Sequence, residues 1–430
     1  MIRRAFVPVS ILLGLFLLTP ISYSAEPERK LNLDELVDEA LQKNPEILAA
    51  RKRWEAYRER VPQAGALEDP MVGFGITNLP TNFSFRDEDM TMKELSISQR
   101  LPFPGKRPLM RGMAEKEAEA VRTEVERRRL QVIRDVNNIY YDLSHYYRTH
   151  EVTQRNKAIL ENFAKIAETR YSVGEGVQQD VLKAHVEVSK MVDELLMLAQ
   201  RKRALEARLN ASLDRPVEAP MAEPEEVAFK RVPLDLEELR RAAVETNPAL
   251  QGMKKMIEAK ERAYLLARRE YYPDFNFRFA YGQRDNGPEM TRRDMLSGMV
   301  EVNIPIFSGS KQDRKVAETK ADIMNAEAQY RAMKNEIFSM ITDMTSMIER
   351  LDRQLELYRS GIIPQARLQM SSAMSAYRVN RVDFMTLLDA QMTLYRYELE
   401  YHQALTEYEK SLAVLGTTIG KRSLQPRQTQ

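Results

Sequence analysis

The side chains best able to do chemistry are few or scattered in this sequence. There is no cysteine among its 430 residues. That removes thiol catalysis, disulfide frameworks and zinc ribbons. The four histidines, His145, His150, His185 and His402, show no tight ligand spacing such as His-Glu-x-x-His. His145 and His150, five apart, read as helix-surface residues. The 23 methionines carry thioethers that suit soft ions such as Cu(I) or Ag(I). Yet Met340, Met344 and Met347 recur at helical spacing, which suits core filling, and Met90 and Met92 fall in a polar loop. No Ser-His-Asp arrangement is apparent, and 16 glycines are too sparse for a glycine-rich phosphate loop. No catalysis, cofactor or metal is expected. Lys and Arg number 65 against 63 Asp and Glu, a net charge of +2, so nothing points to nucleic acid as a partner.

Hydrophobic residues make up 43%, charged residues 30%, and mean hydropathy is −0.49, values of a water-exposed, helix-rich chain. Beyond the N-terminus no apolar run reaches roughly 18 residues, which excludes a helical membrane transporter. At the N-terminus, Arg3 and Arg4 precede an apolar core, Ile11 to Leu18. Pro20, Ser22, Ser24 and Ala25 follow. This reads as a secretory signal over residues 1–25 and implies a bacterial envelope protein. With no cysteine at the cleavage site, anchoring there through a lipidated cysteine is impossible.

The remainder is a tandem repeat. Leu31-Asn-Leu-Asp-Glu-Leu36 returns as Leu234-Asp-Leu-Glu-Glu-Leu239. Asn44-Pro45, Pro70 and Pro102 return as Asn247-Pro248, Pro273 and Pro305, all 203 residues on. Tyr171-Ser-Val-Gly174 matches Tyr377-Arg-Val-Asn380 at a shift of 206. The expected units are 26–213 and 234–420, joined by a proline-rich connector over 214–233. A disordered tail is expected over 421–430.

Each unit opens with a helical segment, broken at Asn-Pro, where Asn caps and Pro starts the next turn. The period then changes to two. Val72, Phe74 and Ile76 alternate with Gly73, Gly75 and Thr77, and Leu95, Ile97, Leu101 and Phe103 with Ser96, Ser98 and Arg100. In the second unit Phe275, Phe277, Phe279 and Tyr281 alternate with Asn276, Arg278, Ala280 and Gly282. Val300, Val302, Ile304 and Ile306 alternate with Met299, Glu301 and Asn303. These are four strands, each with one apolar and one polar or small face. A proline-glycine corner follows each pair. A helix from about Lys106 to Arg170 would run roughly 95–100 Å, and the segments 32–66 and 178–213 would be roughly half that. The two shorter ones could therefore stack end to end beside the long one. In the last helix Leu387, Ala390, Leu394, Tyr397, Tyr401, Leu405, Tyr408, Leu412 and Leu415 form a coiled-coil stripe.

Strands of this length, apolar on one face, fit a membrane barrel. Open edges are not tolerated in lipid, so the sheet must close. Two chains would supply eight strands and three would supply twelve, and only the larger barrel leaves a water path. Arg100, Arg278 and Glu301 then line the lumen, and the loops Pro80 to Thr91 and Arg284 to Asp294 face outside.

At this point the chain resembles the TolC family of outer membrane efflux proteins, over roughly residues 31–420. The resemblance is strongest in Tyr377-Arg-Val-Asn-Arg-Val-Asp-Phe-Met-Thr-Leu-Leu-Asp389-Ala-Gln-Met-Thr-Leu394 and in Tyr171-Ser-Val-Gly-Glu-Gly-Val-Gln-Gln-Asp180. It implies a mainly α protein with a transmembrane β-barrel. Its two tandem helix-strand-strand-long helix-helix repeats trimerise into a 12-stranded outer membrane barrel and a periplasmic α-helical barrel. It implies a homotrimer in outer membrane lipid of a Gram-negative bacterium. That trimer is the exit duct of a tripartite efflux or type I secretion system. Its partners are a periplasmic adaptor (membrane fusion protein) and an inner-membrane pump of RND or ABC type. Val173, Gly174, Glu175 and Gly176, with Val379, Asn380, Arg381 and Val382, would be the tips that meet the adaptor. Asn380 stands where the family has glycine. The resemblance also places an acidic gate at Asp389, with Asp180 in the first repeat and Asp383 standing in for an acid replaced by Thr386. For Asp383 helix capping is an equal reading. The Pro102-Phe-Pro-Gly-Lys-Arg107 corner resembles members paired with heavy-metal pumps, and no metal is assigned from it. A periplasmic coiled-coil adaptor and a structural envelope coiled coil are the competing functions.

Overall fold

The computed structural model describes residues 30–287 and 290–424. The expected signal, residues 1–25, lies outside them.

The chain folds as two copies of one unit, and its Asn-Pro dipeptides show why. Helix α1 (Leu33–Lys43) ends where α2 (Pro45–Gly65) begins. Asn44 Oδ1 accepts from Glu46 N at 3.0 Å, capping α2, while its Nδ2 donates to Ser212 O at 3.0 Å. Ser212 is the last residue of α4 (Gln178–Ser212). The second unit repeats the device. Asn247, between α5 (Leu236–Thr246) and α6 (Pro248–Arg269), caps α6 and donates to Thr418 O at 2.8 Å. Thr418 ends α9 (Phe384–Thr418). One amide thus satisfies a helix start and a helix end at once. The shorter helices of each unit stack end to end.

Beside these stacks run the long helices. Helix α3 (Lys106–Ser172) has 67 residues, about 100 Å at 1.5 Å per residue. Its counterpart is α7 (Gln312–Leu357), a π turn (Tyr358–Ile362) and α8 (Ile363–Arg378), together as long as α3. The π turn ends two residues before Pro364. Proline has no N–H for the helix ladder and its ring crowds the carbonyl one turn back, so a wider turn relieves the conflict. The expected stripe of α9 is buried or half-buried throughout. Near the far end of the bundle, α3 and α9 also share buried polar pairs. Gln391 Nε2 donates to Asn156 Oδ1 at 2.8 Å, and the Thr153 and Tyr395 hydroxyls lie 3.0 Å apart. A slip in register would orphan these groups in a dry seam, which is costly.

Strands β1 (Met71–Thr77), β2 (Met92–Leu101), β3 (Phe275–Gln283) and β4 (Met295–Val302) form one antiparallel sheet in sequence order. The β2–β3 pairing, Leu95 opposite Tyr281, joins the two repeats. β4 lies earlier in the sequence than its alternation suggested. It starts at Met295 and stops at Val302. Asn303 N then bonds Asp274 O, and Ile306 N turns back to Ile304 O, so Ile304 and Ile306 belong to the corner, as does Phe103 after β2, whose ladder ends at Leu101 and whose carbonyl accepts from Lys106 N. Among the described residues no helix is long and apolar enough to cross a membrane.

The 214–233 stretch is extended and pinned. Leu31 pairs with Glu223 and Glu225 through backbone hydrogen bonds, and the Tyr408 hydroxyl bonds Lys230 O and the Val232 N–H. Residues 421–424 depart from the expected tail. Arg422 is held by Asp34 and Asp38, and Leu424 packs on the second repeat's core.

Candidate channel lining and helical tips

Strand register sorts the side chains onto two faces. Arg100 lies opposite Asn276, which lies opposite Glu301, and Arg278 lies between Ser98 and Met299. Arg100, Arg278 and Glu301 therefore share one face, with Gly73, Gly75, Ser96, Ala280 and Ser297. The face is cross-braced. Arg278 bonds Glu94 and reaches the Ser96 hydroxyl, and Asn276 donates to Glu301 at 2.6 Å. Glu94 was missed in the sequence, although one further step of the Leu95–Ile97 alternation puts it on this face. The opposite face holds Phe74, Leu296, Phe279 and Val300, which are 84%, 85%, 63% and 58% exposed. Leaving such side chains in water forfeits roughly 1.5–3 kcal/mol each. Across the whole face that exceeds the ~5–15 kcal/mol net stability of a typical domain. The sheet is built for an apolar surrounding.

At the base of the sheet lies a buried ion pair that sequence reasoning did not find. Lys106 Nζ donates to Asp274 Oδ1 at 2.7 Å and to Tyr272 O at 2.9 Å. Phe103 N also donates to Asp274, at 2.8 Å, and the Phe103 ring stacks on Tyr272 at 4.7 Å. Burial alone would raise Asp274, but Lys106 and the Phe103 N–H outweigh it and hold the carboxyl below its ordinary range. Gly105 turns the chain into α3 at φ +96°, a conformation that favours glycine. No single-residue signal marks this pair, because its partners come from different repeats.

At the opposite end the two helical hairpins close with the same backbone device. Glu175 N bonds Arg170 O, and Arg381 N bonds Ala376 O, both at 2.9 Å. Gly174 and Asn380 occupy the left-handed region, at φ +76° and +59°. Both corners are thus Schellman-type stops, and asparagine tolerates the conformation next best after glycine. Val173 and Val379 project at matching places, 65% and 63% exposed. Arg170 joins the hairpins, donating to Tyr377 O at 2.9 Å with its guanidinium 4.7 Å from the Tyr377 ring centre.

The three expected acids have different settings. Asp383 is the N-cap of α9, accepting from Thr386 N at 2.8 Å, and this hydrogen bond lowers its pKa. Asp180 sits near Asp383, and burial and that neighbouring charge raise its pKa against the pull of Arg170. Asp389 is exposed on α9 between the buried Leu388 and Ala390.

His145 corrects the surface assignment. It is largely buried and faces His402 across α3 and α9, beneath Val227 of the connector. Burial lowers both imidazoles, His402 to about 4. Of Met340, Met344 and Met347, expected as core filling, Met344 packs on the second repeat's core, whereas Met340 and Met347 are exposed on α7, where they accept from Thr418 and Ser411.

The sequence model of the outer membrane efflux protein family matches residues 36–214 and 239–421. The chain belongs to the outer membrane efflux protein family. This family member is 21% identical over 415 residues to nodulation protein T of Rhizobium leguminosarum bv. trifolii, across 90% of this chain and 85% of that one. It is also 21% identical over 277 residues to the outer membrane efflux protein BepC of Brucella suis biovar 1 (strain 1330), a match taking in 62% of this chain and 60% of BepC. In fold it is similar to the outer-membrane channel OprN, with a TM-score of 0.78, 17% identity, and 92% and 91% of the two chains covered. As a family member it is placed in the outer membrane, reaching into the periplasm.

Proposed function

We propose that three copies of this efflux-family chain form the passive exit duct of a tripartite efflux or type I secretion system. An inner-membrane pump of RND or ABC type delivers the cargo through a periplasmic adaptor. One observation carries the reading. The sheet is apolar and exposed on one face, polar and braced on the other, and unpaired at both outer edges among the described residues. An even number of antiparallel strands lets β4 of one copy run antiparallel to β1 of the next, so identical copies can close a ring. Twelve strands leave a water path that eight do not. Arg100, Arg278 and Glu301 then face that path, and the tips at 173–176 and 379–382 face the adaptor. Asp389, helped by Asp180, forms the cation-favouring constriction. Asp383 spends its carboxylate on the α9 cap. An adaptor or a structural coiled coil would leave the exposed apolar face unexplained. The test is extraction from the outer-membrane fraction as a heat-modifiable, SDS-resistant trimer that conducts ions in planar bilayers. Recovery as a soluble periplasmic monomer refutes it.

A further inference from the structure

The polar face of the sheet carries four large apolar side chains, and all four are methionines. Met71, Met92, Met295 and Met299 share that face with Glu94, Arg278 and Glu301 by strand register. Met92, expected in a loop, is the first residue of β2. The opposite face takes its apolar side chains from Val, Ile, Leu, Phe and Tyr, and has no methionine. Bulk alone does not account for this division, since Leu would fill the same volume. What methionine adds is the thioether, a soft and neutral donor.

Two of the four converge on Gly282. This glycine lies on the polar face, opposite Glu94 on one side and Met295 on the other. It is buried although its neighbours Tyr281 and Gln283 are exposed. The cover is Met92, because a Cβ added at 282 would collide with Met92 Sδ. Directly opposed side chains of an antiparallel pair start about 4.5–5.5 Å apart, so Met295 flanks the same spot from β4. The missing side chain at 282 thus leaves room for two thioethers to approach each other. Glu94 brings a carboxylate to this row. Its Oε1 is held by Arg278, and its Oε2 accepts from the Thr77 hydroxyl at 3.3 Å. Arg284, two residues beyond the glycine, spends its guanidinium on Arg293 O at 2.7 Å and Asp89 O at 3.2 Å.

We propose that Met92 and Met295 together bind one soft monovalent cation, Cu(I) or Ag(I), with Glu94 supplying negative charge beside it. The site lies at the outer end of the sheet, next to the loops. The inference rests on the duct reading above and deepens it, since a closed ring of three copies would carry three such sites near the exit of the water path. Soft ions select thioethers, whereas hard ions such as potassium prefer oxygen, so ordinary salt would pass without competing. Neutral donors and an already shared carboxylate hold an ion loosely enough to release it, as a conduit requires.

The test uses the purified protein in detergent, with its methionine methyl carbons labelled, titrated with silver nitrate in chloride-free buffer and followed by methyl NMR. Met92→Leu and Met295→Leu assign the two signals. Both signals should move together and saturate at one silver ion per chain, ahead of those of the exposed Met340 and Met347. In Met92→Leu the Met295 signal should no longer move at that silver level, and the reverse should hold in Met295→Leu. Leucine keeps the volume, and unchanged signals from the other methionines show that each variant is folded. Gly282→Ala keeps both thioethers but displaces Met92, and it too should abolish the early shift. The proposal is overturned if neither signal moves. It is overturned equally if both move only in step with Met340 and Met347, which marks silver taken up by any exposed thioether. Normal titration of Met295 in Met92→Leu also overturns it, since no ion is then shared. Potassium conductance of the same preparation in planar bilayers separates the two readings. Conductance alongside any of these three results leaves the duct standing without the site, and absence of conductance overturns both.

Discussion

Lys106 and His402 are two largely buried groups, one held by an ion pair and the other kept neutral by burial. Removing the ammonium by Lys106→Ala leaves Asp274 with only the Phe103 N–H and the Arg100 guanidinium, 3.3 Å away. Breaking a buried pair costs about 3–5 kcal/mol. With those two donors retained, a loss of roughly 3 kcal/mol is expected, measured by thermal unfolding in detergent. His402 and its neighbour His145 stay neutral in the fold, because burial opposes their charging and the Arg148 and Arg201 charges add to it. Asp142, Lys410, Glu398 and Glu151 also face this pair. An unfolded imidazole titrates near ~6.5, and His402 in the fold near about 4. Between those values the unfolded chain binds more protons. Stability contributed by the neutral His402 is therefore present above ~6.5 and lost as pH falls towards 4. The melting temperature should drop across that window, and His402→Gln should flatten the drop. At the opposite extreme of exposure, Asp389→Ala should raise single-channel conductance or lower cation selectivity in planar bilayers. Unchanged conductance and selectivity would sink the constriction.

At the scale of elements, Asn44 and Asn247 each hold a helix start and a helix end. Alanine at either position should cost about 1 kcal/mol for the lost cap, and the effects should add because the two sites lie in different repeats. A double-variant melting curve checks this, and a loss confined to one site would show that only one stack depends on its amide. The elements were largely legible in the sequence because their signals are local. Asn-Pro marks the helix breaks, alternation marks the strands, and Gly174 and Asn380 mark the corners. Two errors came from continuing a pattern beyond its physical support. Ile304 and Ile306 keep the period of β4, but the ladder has already ended at Val302. His145 sits among polar helix residues, but the connector folds over it, which no local pattern records. The Lys106–Asp274 pair was illegible for a related reason. Its partners lie 168 residues apart, and neither stands out among 65 basic and 63 acidic side chains.

For the molecule as a whole, the repeats are fastened by α3 packing on both α6 and α9 and by the β2–β3 ladder. The connector adds backbone bonds but carries none of that ladder. Cleavage at a protease site inserted beside the exposed Val217 should therefore leave the two halves associated, co-eluting in detergent. Separation of the halves would mean that the connector itself holds them together. The β2–β3 ladder has a further consequence, in time instead of space. Arg278 meets Glu94 across 184 residues of chain, so this seam cannot begin to form until the whole first repeat and β3 have been made. The helical hairpins have short loops and can form early, because local contacts need little loop closure. Each strand pair, by contrast, would be a lone hairpin, which is marginal in water. The order of events is thus written into the topology: the helices of the first repeat precede the sheet, and the four-stranded apolar face exists only once β4 has been made.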